Sequence, residues 1–419
     1  MKGVQQCGGN MNAVTDNPIV GPLSGIRIVD STSIQMGPYA TMILADLGAD
    51  VIKIESPGGD SSRQTSPYVH KGMGHTFLNS NRNKRSVALD LKHPEGRAAL
   101  LEIAKRGDVF VHNVRPQAME RLKLGYEAFK AVNPKIIYVA AVGFGAKGRY
   151  GGSPALDDLI QGMACIPALY QQATGHEPRY VPTAFADRSS ALHVALAILS
   201  GVVSRNSTGR GQKIDVPMFE NLVHTIFGEH LEGETFIPPR GAMGHPRTVS
   251  LERRPYRTKD GFICTLIYND KQWGNFFKII NEPGKFQSDH RFSTMENRIK
   301  NIDSIYQFLS DVIETQTTEY WIKHFVEHEI PIAKMHSLED TLHDPHLSDV
   351  NFFASAKHPT EGTIREMYYQ TAFSETPLTP RRHAPRLGEH TFEVLAEYGY
   401  TSDKIKELVK QGIAVVPPA

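Results

Sequence analysis

The chain has 419 residues, too many for one ordinary hydrophobic core, so two domains or one large domain carrying a smaller insertion are expected. Apolar residues make up 40% and charged residues 22%, with 46 basic against 45 acidic side chains. That is the balance of a soluble globular protein and gives no support to nucleic acid as a partner, so any polyanionic ligand has to be argued from local clusters.

In chain order, residues 1–20, with Gln5, Gln6, Gly8, Gly9, Asn10 and Asn12, hold no apolar run of the length a signal peptide or membrane span needs, and read as a loose tail. From Ile26 short apolar runs alternate with helical periodicity: Ile26 to Val29, Tyr39 to Leu47 closed by Gly48, then Val51 to Ile54. A second β-α-β unit follows, with Ser86 to Leu91, a helix from Pro94 to Lys105 stopped by Gly107, and Val109 to Val111; Lys135 to Val142 adds a further β-rich run. Strands alternating with helices in this way predict an α/β class with a doubly wound, Rossmann-like parallel sheet and ligands at the carboxyl ends of its strands. This large domain is expected over 21–228. Pro238, Pro239, Gly241, Gly244, Pro246 and Pro255 then mark a linker over 229–259. A smaller α+β domain is expected over 260–335, from a strand at Phe262 to Ile267 and helices at Trp273 to Ile280, Ile302 to Thr315 and Tyr320 to Glu327. Helical patterns at Thr391 to Tyr398 and Ser402 to Gln411 close the chain. Cys7, Cys165 and Cys264 are odd in number and widely spaced, so neither a disulfide framework nor a zinc site is expected, and a cytoplasmic location fits best.

Several segments hold residues suited to chemistry. The first strand runs into Ser31-Thr32-Ser33-Ile34-Gln35-Met36-Gly37-Pro38, a polar turn opening a helix whose free N–H groups suit an anion or a carbonyl oxygen; from spacing alone, Ser31 and Thr32 as plain caps are the commoner explanation. Two basic clusters, Arg82 with Lys84 and Arg85, and Arg115 in Asn113-Val114-Arg115-Pro116 with Arg121 beyond it, sit beside strand ends and suit phosphates, or form solvated faces. Asp187, in Phe185-Ala186-Asp187-Arg188-Ser189-Ser190, lies just before a long apolar helix read over Ala191 to Val203, within or next to its first turn, as a nucleophilic carboxylate or as a cap. His324 and His328 have the spacing of a metal pair but lack a third ligand, so no metal is expected. Gly209-Arg210-Gly211-Gln212 reads as a tight turn.

Taken in order, Pro22 to Asp30, Gly37-Pro38, Leu44 to Glu55, Asn83-Lys84-Arg85-Ser86, Asn113 to Pro116, Asn133-Pro134, Gly143-Phe144-Gly145, Thr208 to Gln212 and Leu387-Gly388-Glu389-His390-Thr391 resemble the class III CoA-transferase family. That group includes formyl-CoA transferase, carnitine CoA-transferase and α-methylacyl-CoA racemase, and the resemblance covers roughly residues 20 to 415. It implies a large domain completed by the return of 336–419, and a homodimer of two interlocked subunits. It implies no permanently bound cofactor, with coenzyme A and acyl-CoA as substrate beside a free carboxylic acid, and no membrane. Asp187 matches the family's acyl-carrying aspartate, and Gln35 the glutamine facing the reacting carbonyl. Arg85, Asn113, Arg115 and Arg121 match the CoA site, with N–H groups near Gly37 or Gly143 stabilising oxyanions. Two departures narrow the activity. Leu156 stands where the racemases carry a histidine, and leucine moves no proton, which favours transfer over isomerisation. The glycine-rich loop of formyl-CoA transferase is replaced by His245 to Tyr256, so formate and oxalate are not expected; Ser33 and Ser56 stand where that enzyme has basic residues near the nucleotide, which leaves the adenine pocket open. Arg179, Arg247, Arg253 and Arg254 are candidates for clamping the second carboxylate of a dicarboxylic acid.

Overall fold

The computed structural model describes residues 21–417; the tail expected over 1–20, with Cys7, lies outside them. The first strand, β1 (Arg27–Ser31), is a short apolar run; helix α1 (Met36–Asp46) is buried on nearly every side, so its sequence is apolar throughout. β2 (Asp50–Glu55), the short α2 (His75–Leu78) and β3 (Lys84–Leu89) follow. Helix α3 (Pro94–Ala104) starts with Pro94 in its first turn and His93 as N-cap, where a proline's fixed φ and missing N–H cost nothing. β4 (Val109–His112), α4 (Pro116–Arg121), α5 (Tyr126–Val132) and β5 (Ile137–Val142) complete the first half of the sheet, and α6 (Asp157–Met163), α7 (Ile166–Thr174) and α8 (Phe185–Thr208) precede β6 (Gln212–Pro217) and α9 (Met218–His230).

Strands β1 to β6 pair in parallel in the order 3-2-1-4-5-6, so the chain reverses direction of travel between β1 and β4. In an open α/β sheet the crevice outside the strand carboxyl ends at such a switch point is where ligands bind. The C-terminal segment returns to this sheet: β12 (Ala414–Val415) pairs antiparallel with β3, and the helices Thr391–Glu397 and Ser402–Lys410 bury Val394, Leu395, Ile405 and Leu408 in the cluster that holds Leu100, Phe110 and Phe129.

The chain divides into two compact units. One takes the described residues up to Asp157, then Ala186–Asn221 and Asn351 onward; the other takes Asp158–Phe185 and Leu222–Val350. Inside the second, β7 (Tyr256–Arg257), β8 (Phe262–Thr265) and β9 (Ile332–Lys334) form an antiparallel sheet, and the helices Asp270–Ile279, Ile302–Ile313 and Thr318–Glu327 close an aromatic core around Trp273, Phe276, Phe277, Phe292, Trp321 and Phe325. This unit is larger than the domain expected over 260–335. It takes in 158–185, which the strand–helix alternation assigned to the large domain: the Gln161 side chain accepts the Val181 N–H and donates to the Thr183 carbonyl, tying the segment to itself. A hairpin of β10 (Phe353–His358) and β11 (Gly362–Met367) belongs to the first unit.

Candidate active site

A cavity of about 180 Å³ opens at the switch point, and all of it belongs to the first unit. The turn after β1 gives Ser33, Ile34, Gln35 and Met36; the turn after β4 gives Asn113 and Arg115; the end of β5 gives Ala141 to Phe144; Leu156 and Asp187 complete it.

Asp187 is the third residue of α8, where the first-turn N–H groups have no intrahelical acceptor and negative charge is favoured. The capping role open to it on sequence grounds is taken by another residue: the Asp187 N–H donates to Asp157 Oδ1 at 2.8 Å. Among the described residues the Asp187 carboxylate itself accepts no hydrogen bond, so its oxygens are left for the cavity. Burial, and secondarily the Asp157 carboxylate, push its pKa up to about 6, against the pull of Arg188, whose guanidinium lies 4.2 Å from the Tyr39 ring centroid. A carboxylate raised in this way is ionised at neutral pH yet poorly solvated and more basic than an exposed one, as a nucleophile requires.

Gln35 is the N-cap of α1, and its side chain makes no capping hydrogen bond, so the amide is not spent on the helix end. Close behind it, Gly37 packs against Thr32 so tightly that an added Cβ would lie 2.2 Å from Thr32 Cβ; at Gly143 an added Cβ would lie 2.1 Å from Ala155 Cβ. Glycine at both positions is required for the chain to approach that closely, and Gly143 itself lines the cavity.

The remaining expected ligand-binding residues divide sharply. Arg115 lines the cavity, is exposed, and has no carboxylate partner among the described residues, so its five donors are available to an anion. Asn113 also lines it, but its amide is engaged: Oδ1 accepts the Ser33 N–H at 3.0 Å and Nδ2 donates to the Ser33 carbonyl at 2.8 Å. Arg121, in the last turn of α4, is exposed and lies outside the cavity lining. The Arg82, Lys84 and Arg85 cluster is not placed to meet phosphate. Arg82 pairs with Asp46 and Lys84 with Asp30 at 3.1 Å; Arg85 is bound to Asp50 at 2.7 Å, Glu397 at 2.7 Å and Glu393 at 3.3 Å. Arg85 is thus a structural cation, because Asp50 begins β2, at the opposite end of the strands from the cavity.

Leu156 sits in the cavity wall, 71% exposed, so at this position the cavity presents an apolar side chain with no group that can move a proton. Sequence reading missed Asp157, which stands next to Leu156; its signal was a carboxylate in the same segment, but nothing local paired it with Asp187 thirty positions on. Of the arginines proposed as a carboxylate clamp, Arg179 and Arg253 line one pocket of the second unit, about 420 Å³, with Tyr170 and Tyr180, while Arg254 pairs with Glu252 at 2.9 Å. The His324 and His328 pair is internally bonded, His328 Nδ1 lying 2.8 Å from the His324 carbonyl oxygen.

The sequence matches the profile of CoA-transferase family III over residues 23–391. Succinyl-CoA:mesaconate CoA-transferase of Haloarcula hispanica is 31% identical, over 91% of this chain and 97% of its own. Succinyl-CoA:glutarate CoA-transferase of Homo sapiens is 29% identical, over 94% of this chain and 90% of its own. The crystal structure of a CaiB/BaiF family protein from Brucella suis superimposes with a TM-score of 0.74 at 28% identity, covering 90% of this chain and all of that one.

Proposed function

This chain belongs to CoA-transferase family III and is a CoA-transferase, and we propose that it moves CoA between small dicarboxylic acids through a covalent intermediate on Asp187. The observation that carries the reading is the Asp187 carboxylate: raised to about 6, free of hydrogen bonds from the described residues, and lining one cavity with Gln35 and a proton-inert Leu156.

In the proposed cycle an Asp187 oxygen attacks the thioester carbonyl and CoA leaves as thiolate, giving a mixed anhydride. The thiolate attacks the Asp187 carboxyl carbon, releasing the first acid as carboxylate and leaving an aspartyl-CoA thioester. The acceptor carboxylate attacks that carbonyl, expelling thiolate and forming a second anhydride. The thiolate then takes the acceptor acyl group, and Asp187 is regenerated as carboxylate. Each tetrahedral oxyanion needs donors, which the Gln35 amide and the N–H groups at the start of α1 and near Gly143 supply. Arg115 meets a phosphate of the CoA.

The dicarboxylate class is supported by the substrates named for both similar enzymes above. A homodimer is supported by α8: one face packs on the sheet, where Gly201 lies against Ile137 and Ile214, while Leu192, Leu196 and Val203, 56, 60 and 66% exposed, form a stripe along another. An apolar stripe of that kind on a soluble enzyme marks a surface that a second copy covers. The substrate reading is tested with succinyl-CoA as donor and matched C4 and C5 mono- and dicarboxylic acceptors, products read by chromatography. Transfer to dicarboxylates at least about tenfold faster is expected; preference for monocarboxylates, or α-hydrogen exchange without an acceptor, would refute it.

A further inference from the structure

The turn that carries Gln35 is held in a conformation its sequence does not favour. Ile34 has φ +72°, in the left-handed region, which a β-branched residue keeps only where its surroundings over-determine it. Here they do. Five successive backbone groups are each taken by a side chain from elsewhere. The Thr32 N–H donates to Asp30 Oδ1 at 2.9 Å, the Thr32 carbonyl accepts Lys53 Nζ at 2.9 Å, and the Ile34 N–H donates to Asp60 Oδ1 at 3.1 Å. Between them the Ser33 N–H and carbonyl are both taken by the Asn113 amide.

The charged members are wholly enclosed: Lys53 Nζ also donates to Asp60 Oδ2 at 2.9 Å, and Asp30 Oδ2 accepts Lys84 Nζ, which donates in turn to the Pro38 carbonyl at 2.9 Å. Burial alone would raise the Asp30 carboxyl, but the Lys84 and Lys53 ammonium groups hold it down to about 2, so the carboxylate stays ionised. Asn113 is the member that reaches the turn from across the switch point, from the turn after β4.

We infer that Asn113 is a positioning residue, whose amide fixes the Ser33 backbone and so aims Gln35 at the reacting carbonyl. The inference rests on the proposed role of Gln35 and deepens it. A group acting through another shows two signs that a direct CoA ligand lacks: its loss slows turnover without weakening CoA binding, and it costs nothing further once the group it positions is gone.

The test is a double-mutant cycle of Asn113→Ala and Gln35→Ala, with kcat and the KM for acyl-CoA measured for each, alongside hydrogen exchange over residues 32–36. Asn113→Ala is expected to lower kcat about ten- to a hundredfold, to leave KM within about threefold, and to speed exchange in the turn; the double variant is expected within about threefold of the worse single one. Losses that multiply, a KM raised with kcat kept, unchanged exchange, or wild-type rates in either single variant would each overturn the inference. Full activity in Asp187→Ala would instead refute the covalent reading and leave the cycle interpretable.

Discussion

Replacing Asp157 by asparagine removes a charge beside the proposed nucleophile while keeping an oxygen for the Asp187 N–H, now 2.8 Å away. The Asp187 carboxyl stands about two units above its ordinary value of 3.8, with burial the largest cause and the Asp157 charge the second. The asparagine variant therefore keeps the larger raising cause and loses the smaller, which brings the carboxyl down by roughly 0.5–1 on the pH scale. An unprotonated Asp187 is required for attack, so the wild-type profile of kcat/KM for acyl-CoA should fall below about pH 6, and the variant's below about pH 5 to 5.5. At pH 5 the variant should keep a fraction of its own plateau about two- to fivefold larger than the wild type keeps. At pH 8 it should be about two- to threefold slower, because the nucleophile is less basic. The assay is a pH series from 4.5 to 8.5 with one acyl-CoA and a saturating acceptor. An acid limb that stays in place or moves upward in the variant would refute the electrostatic account of this site.

The same carboxyl has a consequence for stability. Its folded value lies above its unfolded one, so its contribution is fully present below about pH 4 and lost as pH rises through 6; Asp187→Asn should raise the Tm by about 1–4 °C at pH 7.5 and leave it unchanged at pH 4. Arg115→Ala should raise the KM for CoA esters about tenfold, with an effect that shrinks at high salt. Arg85→Ala should leave that KM alone and cost about 2–4 kcal/mol by denaturant titration, because Asp50 and Glu397 lose their shared partner. Leu196→Glu should lower the apparent mass in solution by light scattering if α8 packs on a second copy, and an unchanged mass would remove that surface from the dimer.

The large fold was legible because its signal is local. Apolar runs of four to six residues separated by helical periodicity give the strands and helices of the sheet, and the long apolar helix read from Ala191 to Val203 lies wholly inside α8, which begins earlier, at Phe185. What stayed illegible depends on partners remote in sequence. Arg85 reads as a phosphate ligand until Asp50 and Glu397, 35 and 312 residues away, are seen to hold it. Asn113 reads as a ligand contact and does line the cavity, but nothing local shows that Ser33, 80 residues away, engages both ends of its amide. The segment 158–185 reads as more of the alternating sheet domain because its helices have the same periodicity wherever they pack, and the Gln161 bonds to 181 and 183 that tie its two ends together leave no mark in the local pattern.

The most direct measurement is chemical trapping at Asp187. The protein is incubated with an acyl-CoA and hydroxylamine, which captures an activated carboxyl as a hydroxamate, and the modified side chain is located by peptide mass spectrometry. A hydroxamate at Asp187 that forms only when acyl-CoA is present, with transfer abolished in Asp187→Ala, is the result expected. Steady turnover with Asp187 unmodified, or an alanine variant that still exchanges acyl groups at the wild-type rate, would contradict it.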